Sequence, residues 1–125
     1  MVGEAAACVE DLWFPRARMA ELNRVVTYTL THLGEALNFS DVAKAAIASE
    51  RTLSRRFTEE FDIGWSEFVQ RARIVKATER LAMSSDQVAQ IAHDTGFSSA
   101  RLFTQAFRQI MGETPTQYRR RLVAA

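Results

Sequence analysis

The chain repeats its own residue pattern at an offset of about 49 positions, and this repeat limits the possible folds more than any other feature. The first copy consists of Phe39, Val42, Ala43, Ala48, Ser49, Phe57, Trp65 and Phe68. The second copy consists of Val88, Ile91, Ala92, Phe97, Ser98, Phe107, Pro115 and Tyr118, with one extra residue between Ser98 and Phe107. Because a recurring spacing indicates a recurring structural unit, we expect the same small fold twice.

Both copies are predicted to be helical. The chain contains two prolines and five glycines, and no stretch alternates apolar and polar residues as a half-buried strand does. The predicted helices cover residues 18–33, 40–47, 50–61, 65–83, 86–94, 99–111 and 115–122. Residue types that favour helix N-caps occur at Ser40, Ser49, Ser98 or Ser99, and Thr114. In each copy a short helix, a tight turn and a longer capped helix predict a helix-turn-helix.

The predicted helix at 65–83 has apolar residues on two opposite sides. One side carries Trp65, Phe68, Val69 and Ala72, and the side about 180° away carries Ile74, Ala77, Thr78 and Leu81. This switch predicts a helix that contacts two cores, and the alternative is a helix buried in one core. At about 1.5 Å per residue the helix is roughly 28 Å long. Such a length can separate the longer helices of the two repeats by something near one turn of B-DNA, roughly 34 Å.

We therefore predict an all-α fold of about seven helices, in which two helix-turn-helix subdomains are joined by a long central helix. The expected divisions are an N-terminal extension at 1–17, a first subdomain at 18–64, a linker helix at 65–83 and a second subdomain at 84–125. A chain of 125 residues holds at most one ordinary domain or two very small ones.

The longer helix of each repeat combines a polar face with an apolar face. A rotation of about 100° per residue brings together Arg51, Ser54, Arg55 and Thr58 in the first repeat, and Arg101, Thr104, Gln105 and Arg108 in the second. Roughly opposite lie Leu53 and Phe57, and Phe103 and Phe107. Arginine bonds guanine and glutamine bonds adenine through two contacts each, and serine or threonine bonds several bases. One polar face is ordinary on a surface helix, but two matched faces indicate DNA recognition.

Charge is distributed unevenly along the chain. Residues 1–62 carry seven Lys or Arg against ten Asp or Glu, whereas residues 63–125 carry nine against five. The net charge is only +1. This asymmetry can help to steer a polyanion, but at cellular salt it requires local basic clusters to hold one.

These features resemble the DNA-binding domain of the AraC/XylS family of transcription regulators, over about residues 20–121. The most specific part is the stretch IAHDTGFSSARLFTQAFRQIMGETPTQYRR at 91–120. Within it the matching positions are Ile91-Ala92, Gly96-Phe97, Phe103, Phe107, Gly112, Thr114-Pro115 and Tyr118-Arg119. The first repeat is similar to the family through Ala43, Ser49, Leu53, Ser54, Arg55, Phe57, Phe68, Arg71 and Arg73.

The resemblance implies that the second helix of each unit enters a major groove, in two successive grooves of a promoter. The implied base-contacting residues are Arg51, Ser54 and Arg55 in the first unit and Ala100, Arg101, Thr104 and Gln105 in the second. Ala100 offers only an apolar contact, suited to a thymine methyl group. The candidates for phosphate contact are Ser49, Thr52, Thr58, Ser98, Ser99 and Arg108. Most of these lie near helix N-termini, where free N–H groups and the helix dipole favour an anion.

The sequence departs from the family pattern at three places, one of them a pair of residues. Ile47 stands where the family usually has glycine, and since a β-branched residue is poorly tolerated at positive φ, we expect an altered turn there. Asp62 also replaces a usual glycine, although aspartate adopts the left-handed region more readily than most residues. Asp86-Gln87 stands where the family more often has an apolar residue and a serine cap.

The residues do not indicate an enzyme, a metal or a cofactor. His93 and Asp94 are adjacent on a predicted helix, so their side chains diverge by about 100°. Two histidines and one cysteine provide no metal-ligand spacing. The surroundings of Cys8 are not basic enough to favour a reactive thiolate. A helical protein-interaction module without DNA binding is the alternative function, but such a module has no need of Arg51, Arg55 and Arg101.

The expected partners are double-stranded promoter DNA and RNA polymerase, without a membrane. The single cysteine and the lack of a basic, apolar leader favour a cytoplasmic location. Many relatives carry a separate effector-binding or dimerisation domain, and the roughly 20 residues before the match are too few for one. The chain therefore either acts alone, governed by its abundance or partners, or is a piece of a longer protein.

Overall fold

A computed structural model describes the backbone of residues 16–124, and within this range the chain forms seven helices and no strand. We label them α1 (Arg16–Thr31), α2 (Phe39–Ala45), α3 (Glu50–Phe61), α4 (Trp65–Met83), α5 (Val88–Asp94), α6 (Ala100–Met111) and α7 (Pro115–Ala124). The all-α prediction is confirmed, and every predicted boundary is within about two residues of the observed one. Cys8 and most of the predicted extension at 1–17 lie outside the described residues.

Side-chain caps start several of these helices. The Ser49 Oγ accepts a hydrogen bond from the Thr52 N–H at 3.3 Å, and the two residues Thr114 and Gln117 bond each other's backbone N–H groups at 3.1 and 2.9 Å. The second arrangement is a capping box, which satisfies two free donors at once. The prediction that Ser40 caps α2 is wrong. Asn38 has the extended backbone of a cap, and its side chain accepts from the Ser40 N–H at 2.7 Å.

The helices enclose two separate hydrophobic cores. The first is formed by Leu22, Val25, Val42, Ala43, Ala46, Leu53 and Phe57. The second is formed by Ile74, Ala77, Leu81, Ile91, Ala92, Phe103, Ala106 and Phe107. Equivalent members of the repeat occupy equivalent places, since Phe57 and Phe107 are both fully buried on the second helix of their unit. We call α1–α3 the first unit and α5–α7 the second unit.

Helix α4 contributes to both cores, as its divided apolar pattern predicts. Trp65 and Phe68 in its first half pack against the first core, whereas Ile74 and Leu81 in its second half are buried in the second. The alternative of burial in one core is therefore wrong. The Trp65 Nε1–H donates to the Thr29 Oγ1 at 2.9 Å, so the half-buried indole keeps a hydrogen-bond partner.

The turn between the two helices of each unit has the same hydrogen bonds in both copies. The Ile47 N–H donates to the Lys44 carbonyl at 3.1 Å, and the Gly96 N–H donates to the His93 carbonyl at 3.1 Å. Both turn residues have positive φ, 57° at Ile47 and 98° at Gly96. The expectation of an altered turn is therefore wrong. The hydrogen bonds hold Ile47 in the left-handed region, and its side chain, 82% exposed, meets no packed neighbour that would forbid it.

The C-terminal ends of α3 and α6 also match. The N–H of Asp62 bonds the Thr58 carbonyl at 2.9 Å with φ at 62°, and the N–H of Gly112 bonds the Arg108 carbonyl at 2.8 Å with φ at 78°. Both are left-handed C-terminal caps. Aspartate thus performs the role that glycine performs in the second unit.

A network of arginines joins α4 to the second unit. The guanidinium of Arg119 donates to the carbonyls of Leu81, Ser84 and Asp86, at 3.2, 3.1 and 2.6 Å. Arg80 bonds the Asp86 carboxylate at 2.7 Å, and this bond holds the pKa of Asp86 below its usual range. The residue at the helix start, Gln87, makes no side-chain cap, so Asp86 acts here by pairing with Arg80 rather than by capping α5.

We predict that Ile47→Gly stabilises the protein. A left-handed conformation costs an ordinary residue roughly 1–2 kcal/mol, and glycine avoids this cost but loses about 0.5–1 kcal/mol through its freer unfolded chain. The expected gain in the free energy of unfolding is therefore up to about 1.5 kcal/mol, measured by urea denaturation. Ile47→Ala is the control, because it keeps the β-carbon that causes the strain. Equal stability of the glycine and alanine variants would contradict a strained turn.

We also predict a pH-dependent effect of Asp86→Asn. The folded pKa of Asp86 is lowered by Arg80, so the stabilisation is fully present above the ordinary aspartate pKa, about 3.9, and is lost as pH falls through the lower folded value. The variant should therefore have a lower Tm than the parent at pH 7, and the difference should shrink in acid. Glu79→Gln, an exposed change on α4, is the control. A difference that is the same at pH 7 and pH 3 would contradict the ion pair as its source.

Candidate nucleic-acid interface

Helix α3 presents its predicted polar face to solvent. Leu53 and Phe57 are fully buried and fix the helix against the first core. Their burial turns the opposite face outward, where Arg51, Ser54 and Arg55 are all exposed. The packing of two apolar side chains thus determines which side of α3 is accessible.

Helix α6 is arranged in the same way against the second core. Phe103 and Phe107 are fully buried, with ring centroids 5.7 Å apart. On the other side Arg101 and Gln105 are exposed and Thr104 is half-buried, whereas Ala100 is exposed at the start of the helix, on the same side as Phe107. The structure therefore places six of the seven predicted base-contacting residues on two outward faces and Ala100 at the end of α6.

The caps of α3 and α6 define how the two units correspond. Ser49 caps α3, and the Ser99 Oγ accepts from the Leu102 N–H at 3.1 Å to cap α6. The repeat comparison placed the one extra residue of the second copy between Ser98 and Phe107, and this placement is wrong. Ser99 is the equivalent of Ser49, so Ser98 is itself the extra residue and lies in the turn before the cap. Sequence alone could not distinguish two adjacent serines that are equally able to cap.

With the caps aligned, the polar positions of the two helices pair directly. Arg51 corresponds to Arg101, Ser54 to Thr104, and Arg55 to Gln105. The two units therefore present the same kinds of group, at the same distance from the helix start. The third pair differs, because arginine suits guanine whereas glutamine suits adenine.

The guanidinium groups on these faces are available to a ligand. Within residues 20–123, Arg51, Arg101 and Arg108 have no hydrogen bond or ion pair from their side chains. The Nε of Arg55 lies 3.9 Å from a carboxylate oxygen of Glu59, and both side chains are more than half exposed. An exposed pair of this kind contributes about 0–1 kcal/mol. A phosphate or a base edge can therefore displace Glu59 at little cost.

The predicted phosphate candidates differ in their freedom to bind. The hydroxyls of Ser49 and Ser99 accept from their own helices and still have a hydrogen to donate. The Thr58 hydroxyl donates to the Ser54 carbonyl at 3.1 Å, and Thr52 is half-buried. Ser98 and Arg108 are exposed.

The N-termini of the two helices are electrostatically unequal. The first turn of α3 contains Glu50, whereas the first turn of α6 contains no acidic residue. A carboxylate at a helix N-terminus stabilises the helix but repels a bound anion. The start of α6 is therefore better suited to a phosphate than the start of α3.

One apolar residue beside the polar face of α6 was not predicted as part of the site. Leu102 is 50% exposed and occupies the position that Thr52 has in α3. It lines a groove of about 770 Å³ together with Gln105, Gln109 and Gln70. Leu102 lies next to Arg101 and three residues before Gln105, so the helix rotation that grouped those two residues could also have identified Leu102 as exposed.

The described residues do not assemble a metal site. Across residues 20–123, no group of three or more His, Cys, Asp or Glu side chains lies close enough to hold an ion. His93 is exposed, and the Asp94 carboxylate bonds Arg80 at 3.1 Å and Gln90 at 2.8 Å. Asp94 thus has a structural role. None of the helices between residues 16 and 124 is both long and apolar enough to span a bilayer.

Comparison with known sequences identifies the same region. A family model described as a helix-turn-helix domain matches residues 42–121. An uncharacterised helix-turn-helix-type transcriptional regulator of Staphylococcus aureus is 34% identical over 99 residues, which are 79% of this chain and 13% of the relative. The chain thus spans a small part of the length of the curated relatives of this kind.

Two solved structures share the fold over most of each chain. The DNA-binding domain of AdpA, a global transcriptional factor solved with a target DNA, has a TM-score of 0.78 and 30% identity, covering 82% of this chain and 93% of that one. A transcriptional regulator of Chromobacterium violaceum, described by an AraC-type DNA-binding domain, has a TM-score of 0.78 and 26% identity, covering 82% and 91%.

Proposed function

The chain belongs to the AraC/XylS-type helix-turn-helix family, and from this premise we propose that it is a sequence-specific regulator of transcription that binds double-stranded DNA. The family and the fold are those of DNA-binding regulators and not of enzymes. In our proposal α3 and α6 enter two successive major grooves. The observation that carries it is the pair of equivalent outward faces, each fixed by a buried phenylalanine, Phe57 or Phe107.

Each base-contacting residue has a chemical role in this proposal. Arg51, Arg55 and Arg101 bond guanine O6 and N7, and Gln105 bonds adenine N6 and N7. Ser54 and Thr104 accept or donate to either kind of base, and Ala100 contacts a thymine methyl group. The two units thus favour different base patterns, chiefly because Arg55 and Gln105 differ.

The phosphate contacts fix the position of each helix on the duplex. We assign them to Ser49, Thr52, Thr58, Ser98, Ser99 and Arg108. Among these the strongest anion site is the start of α6, where Ser98 and Ser99 lie beside free N–H groups and no acidic residue. Such contacts supply affinity without sequence preference.

The wider organisation is part of the same proposal. The units at 18–64 and 84–125 act as separate recognition subdomains, and the helix at 65–83 spaces them on one face of promoter DNA. RNA polymerase is the proposed protein partner, through surfaces that DNA leaves exposed. An interaction module without DNA binding is less consistent with the available guanidiniums of Arg51 and Arg101.

The proposal is tested by titrating the chain against mixed-sequence DNA at two salt concentrations. Each phosphate contact contributes a slope of about −0.9 in log K against log salt, so several contacts should weaken binding by orders of magnitude between about 50 and 200 mM salt. Selection of bound fragments from random DNA should then yield a two-part site with parts one helical turn apart. Binding that is absent, or insensitive to salt, would favour the interaction module.

On the selected site we predict that Arg55→Ala costs about 1–3 kcal/mol of binding free energy and relaxes discrimination at one base pair. The reason is the loss of a two-contact bond to guanine. Competition binding with single-base variants of the site measures both effects. Arg71→Ala is the matched control, because Arg71 lies on α4 and bonds Glu67 at 3.3 Å. An equal loss on every sequence would show that Arg55 contacts phosphate and not a base.

A further inference from the structure

The two units touch each other directly at a small junction made by two loops. One loop follows α1 and includes Leu33 and Gly34, and the other joins α5 to α6 and includes Gly96. A methyl group built on Gly34 would lie 2.8 Å from the Asp94 carbonyl oxygen, and one built on Gly96 would lie 2.2 Å from the Leu33 carbonyl oxygen. Since real β-carbons do not approach backbone so closely, both glycines mark backbone-to-backbone contact between the units.

The side chain of Arg73, from the middle of α4, occupies this junction. Its Nε donates to the Leu33 carbonyl at 3.0 Å and its Nη2 donates to the Glu35 carbonyl at 2.9 Å. The same guanidinium lies against the second unit, because a methyl group on Gly96 would be 2.7 Å from the Arg73 Nε. One side chain therefore contacts all three parts of the molecule: α4, the first unit and the second unit.

The surroundings of Arg73 make these bonds strong. Arg73 is half-buried, and this burial lowers the pKa of its guanidinium. A charged donor makes a stronger hydrogen bond than a neutral one, and the bond to the Leu33 carbonyl is partly buried whereas the bond to the Glu35 carbonyl is exposed.

Beyond this junction the units are separated by open space. The groove of about 770 Å³ lies between Leu37 of the first unit, Gln70 of α4 and Gln109 of α6. Helix α6, which carries the second polar face, therefore does not rest on the first unit across this groove. Its direction relative to α3 depends on α4 and on the contacts at the junction.

We propose that Arg73 is a positioning residue that fixes the angle between the two DNA-recognition units, by bonding the first unit while Gly96 of the second unit packs on its guanidinium. The expected effect of Arg73 on DNA affinity rests on the proposed function. The angle between the units is a property of the free protein and does not depend on it. The role proposed for Arg73 uses only its bonds to the Leu33 and Glu35 carbonyls and requires no contact with DNA. It acts by reducing the freedom of α6 relative to α3 before DNA is bound.

The first test measures the free protein. In a Cys8→Ser background, spin labels are attached at Lys44→Cys on α2 and Ala89→Cys on α5, both exposed, and double electron–electron resonance gives their distance distribution. The parent should give one narrow distribution. Arg73→Met should broaden or shift it, while Arg71→Met, the same change two positions away on α4, should leave it unchanged. A distribution for Arg73→Met as narrow as that of the parent, and at the same distance, would overturn the proposal.

A second variant keeps the test decisive if Arg73→Met fails to fold, as judged by circular dichroism. Arg73→Lys keeps the charge but loses the planar group that bonds two carbonyls at once. It should broaden the distribution as well, to a smaller extent. A lysine variant that folds and matches the parent would show that charge alone suffices and would overturn the two-carbonyl mechanism.

The second test separates this inference from the proposed function. Affinities are measured for a duplex with both parts of the selected site, for duplexes with one or two base pairs inserted between the parts, and for a duplex with one part only. Because preset geometry makes the second contact intramolecular, Arg73→Met should weaken binding to the full site about 10- to 100-fold and leave single-part binding unchanged. It should also reduce the penalty of the insertions. An equal loss of affinity on all duplexes would overturn the positioning role of Arg73. If the parent protein binds no DNA, the proposed function is overturned, and the distance measurement alone decides whether Arg73 fixes the angle between the units.

Discussion

The division of α4 between two cores is the constraint on which the rest of the structure depends. A helix of 19 residues that packs Trp65 against one core and buries Leu81 in the other joins two small units without merging them. Each unit alone has only a handful of buried side chains, too few for much independent stability. By contributing side chains to both cores, α4 stabilises each unit and at the same time fixes how far apart they lie.

The outward faces follow from this packing. Phe57 in α3, and Phe103 and Phe107 in α6, are the largest buried residues of these two helices. Their insertion leaves Arg51 and Arg101 on the opposite side. The equivalence of the units does not make them identical. Glu50 places negative charge at the start of α3 alone, and the third polar position changes from Arg55 to Gln105. The structure therefore combines one geometry with two different chemical surfaces.

Much of this could be predicted from sequence because it is local. Helix periodicity identified the buried and exposed faces, and the switch on α4 was visible in its apolar residues. Errors arose where neighbouring residues competed for one role, as with Asn38 and Ser40 or Ser98 and Ser99, and where hydrogen bonds overrode a residue preference, as at Ile47. The role of Arg73 had no local signal, since its acceptors are backbone carbonyls 40 and 38 positions away in the chain.

The hydrogen bond between Trp65 and Thr29 has a practical consequence. The indole packs against the first core, and the second unit contains no tryptophan. Fluorescence from Trp65, in a background with Trp13 and Tyr28 replaced by phenylalanine, therefore responds to melting of the first core, while Tyr118 beside Phe107 responds to the second. The two optical signals distinguish a chain whose halves unfold together from one whose halves unfold in turn.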